Sequence, residues 1–253
     1  MDEAIYKTFF ELEDKHWWFI SRREIVLELV GRFLKKEDNN EILDIGCGTG
    51  IILKYLQQFG MVYGLDSSPI AVKYSNMRVN GAVKLGSLTD SVPFSENQFD
   101  LVMLLDVIEH IDDDEIALRK AYDLLKEKGI IICTVPAYKF LWSGHDDAQQ
   151  HKRRYIRSEL KTKIINAGFE IKKLSYYNTF LLLPIVLIRL IQNLTSKKEP
   201  SLNDYIPPEP LNGLLEFIFS SEKHFLRKMN FPFGVSIVAV AEKGESTFGK
   251  PYD

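Results

Sequence analysis

Apolar residues recur at helical spacing through residues 1–40, where Ile25, Leu29 and Phe33, with Val26 and Val30, form one stripe. From residue 41 the pattern changes to short apolar runs that alternate with helical stretches. Glu41–Ile45 is a predicted strand, followed by a helix over Ile51–Phe59. Met61–Leu65 is a strand, and Ser67-Ser68-Pro69 then opens a helix to about Val79, with Ser as cap and Pro in the first turn. Ala82–Leu85 and Phe99–Leu105 read as strands. Asp113–Lys126 reads as a helix whose first-turn acids suit its dipole. Gly129–Val135 is a buried strand stopped by Pro136. Ser158–Asn166 is a helix ended near Gly168, and Phe169–Tyr176 and Val235–Ala241 are the last two strands.

Strands alternating with helices predict an α/β fold: a doubly wound, mostly parallel, seven-stranded Rossmann-like sheet covered on both faces. The chain reads as a single domain over residues 1–253, with an N-terminal helical lid over 1–40 and a helical insertion or cap over 177–234, before the last strand. A connection of that length inside a compact domain argues for a function. It contains the run FLLLPIVLIRLIQNL at 180–194 and a second helix over Leu211–Met229, with Leu214, Leu215, Ile218 and Phe225 expected on one side.

Composition narrows the classes. With 253 residues, 45% of them hydrophobic, the chain can bury a core without metal or disulfide staples. A net charge of −3 lacks the basic excess of a nucleic-acid binder, so no nucleic-acid partner is expected. Cys47 and Cys133 lie far apart and read as reduced thiols of a cytoplasmic protein. The opening MDEAIYKTFF does not read as a signal peptide. The run at 180–194 is shorter than the roughly 20 apolar residues that span a bilayer. Membrane contact would therefore be peripheral, at the inner face. A homodimer contact through the insertion is the other expectation for it.

Asp44-Ile45-Gly46-Cys47-Gly48-Thr49-Gly50 lies between a strand and a helix. The glycines allow a tight turn and close approach of a ligand to the backbone. The third comes one residue earlier than in the dinucleotide pattern G-x-G-x-x-G. Asp44 ahead of the turn would repel a pyrophosphate and welcome a cationic ligand. ILDIGCGTG at 42–50 resembles motif I of the class I S-adenosylmethionine-dependent methyltransferases, of the type 11/23 kind. The resemblance continues through Asp66, GSLTDSVPFSENQFDLVMLLDVIEHI (86–111) and LLKEKGIIICTVP (124–136), and covers roughly residues 41–136. It implies S-adenosyl-L-methionine as cofactor. Asp44, Gly46, Cys47, Gly48 and Gly50 would surround its methionine part together with Asp106, and Asp66 and Ser67 its ribose. Ser87 and Leu88 would meet the adenine. One departure is Ser87 after Gly86, where many relatives place Asp.

On the acceptor side, Asp106-Val107-Ile108-Glu109-His110 resembles the segment that holds a divalent metal in some quinone O-methyltransferases. Metal-independent relatives share it, and no metal is expected. Trp142–Asp146 and His151–Tyr155 follow the fifth strand, where an open sheet places its crevice. His145 is the candidate base, with His151, Arg153 and Arg154 to hold an anionic substrate. His16-Trp17-Trp18-Phe19 with Arg22 and Arg23 reads as a lid over substrate or as packing on the core. These stretches together resemble enzymes of glycan, lipid or cell-envelope pathways. The expected activity is O-methylation of a small-molecule, glycan or lipid-linked acceptor. The alternatives are metal-assisted methylation of a quinone or catechol through Asp106, Glu109 and His110, and a non-catalytic cofactor-binding scaffold.

Overall fold

The computed structural model describes residues 3–37, 39–79, 83–195 and 206–244. Its centre is a seven-stranded sheet: β1 (Glu41–Ile45), β2 (Met61–Asp66), β3 (Val83–Leu85), β4 (Phe99–Leu105), β5 (Leu125–Pro136), β6 (Phe169–Tyr177) and β7 (Ser236–Lys243). The order is β3-β2-β1-β4-β5-β7-β6, with β7 antiparallel between β5 and β6 and the other pairs parallel. Successive strands step outward from β1 toward β3, and the chain then returns to place β4 on the other side of β1. That reversal opens a crevice at the carboxyl ends of β1 and β4. The inner strands are continuous apolar runs because both faces are covered: Leu101 to Leu104 and Ile131 to Cys133 are fully buried.

Helices α1 (Glu3–Leu12) and α2 (Trp17–Phe33) precede the sheet, with a break at residues 13–16 that the helical stripe does not announce. Between the strands run α3 (Ile51–Leu56), α4 (Pro69–Asn76), α5 (Asp114–Leu124), the short α6 (Gly144–Ala148) and α7 (Arg157–Asn166). α8 (Leu182–Thr195) and α9 (Glu209–Leu226) fill the long connection before β7. Both α3 and α4 stop about three residues short of their expected ends. The one larger correction is at the α5–β5 junction. The expected helix to Lys126 ends at Leu124, and β5 begins at Leu125 rather than Gly129. Leu125 pairs with Phe99, the register shifts before Leu101 pairs with Ile130, and Lys128 takes φ +63° within the shift. Lys126 is held in this extended segment by Asp100, 2.7 Å away. Ala82 lies outside the described residues, as does the SKKEP stretch after α8.

The insertion is tied to the N-terminal helices. The Trp17 amide donates to Asn212 Oδ1 (3.0 Å), Ser220 and Ser21 hydroxyls meet at 3.0 Å, and Lys223 pairs with Glu24 at 2.6 Å. α9 therefore turns Asn212, Phe219, Glu222 and Leu226 inward. Leu214 and Phe225, expected on the apolar side, are about half exposed, because α2 rather than a second apolar surface sets which face is covered. Glu222 joins the two halves of the insertion by accepting from the amides of Thr179 (2.6 Å) and Phe180 (2.8 Å), just before α8.

Candidate active site

The glycine turn after β1 is shaped from both sides. A Cβ on Gly46 would lie 2.6 Å from Val107 Cγ2, and one on Gly50 2.9 Å from the Ser75 backbone, at φ +70° and +79°. Gly48, at φ +55°, faces open space with nothing within 4 Å. The Gly48 amide donates to Asp66 Oδ2 and the Ser68 amide to Asp66 Oδ1, both at 2.9 Å. Asp66 thus joins the turn to the start of α4, where Ser68 caps the helix as the sequence predicts. Burial raises the Asp66 carboxyl, with the amides of Ser68 and Gly48 opposing.

Asp44 is buried beneath this turn, and its Oδ1 has no hydrogen-bond partner. Burial pushes its carboxyl up to about 7; Arg22 pulls it down and Asp66 adds to the rise. Burial likewise raises the Cys47 thiol well above its usual value, with Asp44 and Asp66 adding to it, so this side chain is a protonated wall of the turn. Leu88 is buried, and Ser67 is exposed. The Ser87 hydroxyl lies 3.0 Å from both Thr89 Oγ1 and Asp90 Oδ2.

Asp106 sits past β4 at φ +58° and pairs with Arg22 of α2 at 2.5 Å, while Thr134 Oγ1 donates to its other oxygen at 3.1 Å. The Arg22 side chain is 12% exposed and its Nε is unpaired, so the N-terminal segment delivers a cation to the mouth of the crevice. α1 also reaches this end of the sheet. Tyr6 is buried against Ser68 and close to Asp66. Glu13 pairs with Arg78 at 2.5 Å and hydrogen-bonds Thr49 in the glycine turn, and Arg78 Nη2 donates to the Phe10 carbonyl at 2.7 Å. Burial raises Glu13, with Arg78 opposing. These contacts were missed from the sequence. Arg22 had a signal in its aromatic neighbours; Glu13 and Arg78 are 65 positions apart and had none.

The loop after β5 folds back over the turn that follows β4. Ala137 bridges Tyr155, and the Lys152 amide donates to the Glu109 carbonyl at 2.9 Å. This brings His151 beside His110, ring centroids 4.8 Å apart, and sets His151 Nδ1 2.9 Å from Asp146 Oδ1. Burial acts to raise Asp146, but His151 and Arg154 outweigh it and hold the carboxylate well below its usual range. Burial lowers His110, and His151 lowers it further. Glu109 is fully buried with neither oxygen hydrogen-bonded; burial first, then Asp106, pushes its carboxyl well up.

The expected anion clamp takes a different form. Arg154 is buried, donating from Nε (2.7 Å) and Nη2 (3.0 Å) to Asp146 and from Nη1 to the Ala137 carbonyl (2.9 Å). Arg153 pairs with Asp114 at 3.1 Å and donates to the Asp112 carbonyl at 2.8 Å. Both guanidiniums thus hold the loop, because buried acceptors lie nearer to them than the crevice does. The His145 side chain lies outside the described residues. The metal set proposed through Asp106 is also rearranged. Asp106 is taken by Arg22, and Glu109, His110 and His151 instead offer ligand atoms within 4.8 Å of one another.

Open space above Gly48, an unpartnered Asp44 oxygen below the turn and a carboxylate at the end of β2 fit the cofactor that the sequence motif implies. Residues 43–133 match a family model described as a methyltransferase domain. An uncharacterized protein of Methanocaldococcus jannaschii is 32% identical over 44% of this chain and 49% of its own length. A ubiquinone biosynthesis O-methyltransferase of Pseudomonas aeruginosa is 33% identical over 52% of this chain and 65% of its own. The matches thus span about half to two thirds of these relatives. Among solved structures, the complex of the Haloferax volcanii Trm112 methyltransferase activator with a putative methyltransferase aligns with a TM-score of 0.61 at 18% identity, covering 96% of this chain and 94% of that one. The cyclase SpnF aligns at 0.56 and 17% identity over 87% of this chain and 80% of its own. At these identities the structural likeness establishes the fold alone.

Proposed function

Because the chain belongs to the class I S-adenosylmethionine-dependent methyltransferase family, we propose that it binds S-adenosyl-L-methionine over the glycine turn and methylates an oxygen of a small-molecule, glycan or lipid-linked acceptor. The carrying observation is the buried Asp44 oxygen left without a partner at the base of a turn in which Gly48 faces open space. In this reading Asp44 balances the ammonium end of the cofactor and Arg22 its carboxylate end. Asp66 turns toward the ribose hydroxyls, and Leu88 lines the adenine side. Helices α1 and α2 act as the lid, since Tyr6, Glu13 and Arg22 all meet the turn or the strand ends.

When bound, the cofactor supplies an electrophilic methyl on sulfur. The protein aligns the acceptor oxygen with it and removes the acceptor's proton. His151 suits the second task. Asp146 accepts from Nδ1, which orients the ring and leaves Nε2 to take the acceptor proton. Arg154 and the Ser143 amide (2.8 Å) fix Asp146 in turn. This moves the base from His145, first in sequence, to His151, which the fold ties to a buried carboxylate. Calorimetry tests the first half: S-adenosylhomocysteine should bind and NAD should not. Product masses from an acceptor screen test the second. Binding without turnover on any acceptor would leave a cofactor-binding scaffold.

Glu109, with two unpartnered buried oxygens beside His110 and His151, supports a second reading in which the three hold a divalent cation that polarises the acceptor oxygen. Activity lost in chelator and restored by magnesium or zinc would favour it. Activity that survives chelation leaves Glu109 a buried carboxyl outside the chemistry.

A further inference from the structure

α8 has one charged residue in its 14, Arg189, and turns it toward the protein. Leu183, Leu187 and Ile191, successive residues of its outer side, are exposed, so water lies close at hand for an arginine on this helix. A long basic side chain normally keeps its charged head in that water. Arg189 is instead half-buried and donates from Nη1 to the Leu141 carbonyl, on the loop that carries Asp146, His151 and Arg154. Withdrawing a cation from water costs free energy unless an anion meets it.

The charges around Arg189 leave that need unmet. Asp146 is close enough to act on it, but its oxygens are taken. Oδ1 accepts from His151 Nδ1 (2.9 Å) and Arg154 Nε (2.7 Å), and Oδ2 from Arg154 Nη2 (3.0 Å) and the amide (2.8 Å) and hydroxyl (3.2 Å) of Ser143. Burial, then Arg154, lowers the Arg189 guanidinium to about 10 against the pull of Asp146. Other cations around the loop have carboxylates of their own: Lys152 has Asp112 (2.5 Å), Arg153 and Lys163 have Asp114 (3.1 and 2.8 Å), and Arg22 has Asp106 (2.5 Å). Lys139 and Arg157 are exposed, so water meets their charge. Among the described residues Arg189 forms no ion pair, and its hydrogen-bond partner is one neutral carbonyl. A guanidinium is a planar fork of donors that fits a carboxylate or a phosphate at two points. Asp146 ties this fork to the chemistry, because the carboxylate that orients His151 also acts on Arg189. We propose that Arg189 is the anion-binding residue of the acceptor site: its guanidinium takes a carboxylate or phosphate group of the acceptor, while His151 receives the proton of the hydroxyl to be methylated. The anion clamp is then supplied from α8, and Arg153 and Arg154 serve to hold the loop. Only the assignment of the anion to the acceptor rests on the methyl-transfer reading; the anion site itself does not.

Two measurements on the full chain test it, both with Arg189→Gln as the control, since a glutamine amide can still donate to the Leu141 carbonyl while the charge is gone. In the first, the arginine side-chain signals are followed by nitrogen-15 NMR during titration with inorganic phosphate and, separately, with acetate. The signal that Arg189→Gln removes should move saturably, and the anion that saturates it at the lower concentration tells phosphate from carboxylate. A signal that neither anion moves overturns the proposal. In the second, the acceptor screen pairs each hydroxybenzoate with its methyl ester and each sugar phosphate with its parent sugar. The charged member should have the lower KM. Arg189→Gln should raise that KM about 10- to 100-fold, more than it lowers kcat, and leave the KM of the uncharged member and the affinity for S-adenosylhomocysteine as they were. A wild type that prefers the uncharged member, or a variant that changes both members alike, overturns the proposal, since Arg189 would then only support the loop. A wild type that binds no S-adenosylhomocysteine, with the anion titration intact, would remove the methyl-transfer reading and leave the anion site standing.

Discussion

With Asp44 placed against the cofactor's cation, as proposed above, cofactor binding depends on pH with a definite sign. In the ligand-free protein, burial holds its carboxyl near 7, with Arg22 opposing and Asp66 adding. An ammonium group seated against it favours the charged form and brings the carboxyl back toward the ordinary value near 3.9. Binding below pH 7 must therefore release a proton. Affinity should rise by up to tenfold per pH unit from pH 5.5, about 15-fold by pH 7 and roughly 30-fold in all by about pH 8, and then level off. Calorimetry with S-adenosylhomocysteine at pH 6, in two buffers of different ionisation enthalpy, should find close to one proton released per ligand. Asp44→Asn should remove this dependence and weaken binding at pH 7.5 by about 1.5–3 kcal/mol, as for a lost hydrogen bond to a charged group. Stability of the ligand-free fold gives an independent sign. A carboxyl raised on folding contributes stability that is fully present below about 4 and lost as pH rises through 7. Asp44→Asn should flatten that loss in denaturant titrations. Affinity that is level from pH 5.5 to 7.5, or proton uptake on binding, would refute the placement of Asp44 against the cofactor's cation.

Asp66→Ala should weaken S-adenosylhomocysteine binding by roughly 1.5–3 kcal/mol; unchanged affinity by calorimetry would remove Asp66 from the site. His151→Ala should lower kcat about 10²–10⁴-fold with cofactor affinity intact, and equal loss of cofactor binding would mean a structural role. Arg78→Met breaks a pair in which both side chains are under 10% exposed, and should cost about 3–5 kcal/mol in chemical denaturation. Adding Glu13→Leu should restore much of that stability, because the buried charge left behind is gone; a double variant no more stable than Arg78→Met would contradict this account.

Local pattern sufficed wherever local pattern decides structure. β4 falls on Phe99–Leu105 as its unbroken apolar run predicts, and Ser68-Pro69 opens α4 as a cap and first-turn proline should. The glycine turn after β1 and the strand end at Asp66 were legible as structure because turn, strand end and helix start are consecutive. The helix read through Lys126 failed because Leu125 gains a strand partner in Phe99, and that contact outweighs propensity. The acceptor side was legible only as a region. Nothing in the order His145, Asp146, His151, Arg154 tells which side chain meets which. The choice is made by the Lys152–Glu109 backbone bond, which folds the loop over the end of β4.

The two halves of the crevice are held by different parts of the chain, and this bears on how each can change. Cofactor-side groups rest on β1, β2 and the N-terminal helices, with Arg78 fastening α1 to the turn and Arg22 reaching from α2 to Asp106. The groups proposed to meet the acceptor rest on the 137–155 loop, held by Asp114 through Arg153 and by Arg189 of α8. If α1 acts as the proposed lid, exchange of cofactor loosens its polar contacts, which converge on Glu13 and Arg78. In the proposed reading the acceptor meets the loop, which shares no residue with the glycine turn. In that reading a change in acceptor preference can arise in the loop with the cofactor cradle untouched. For that reason the motif in residues 42–50 speaks for the cofactor alone, and in the proposed reading the acceptor is to be sought through the 137–155 loop.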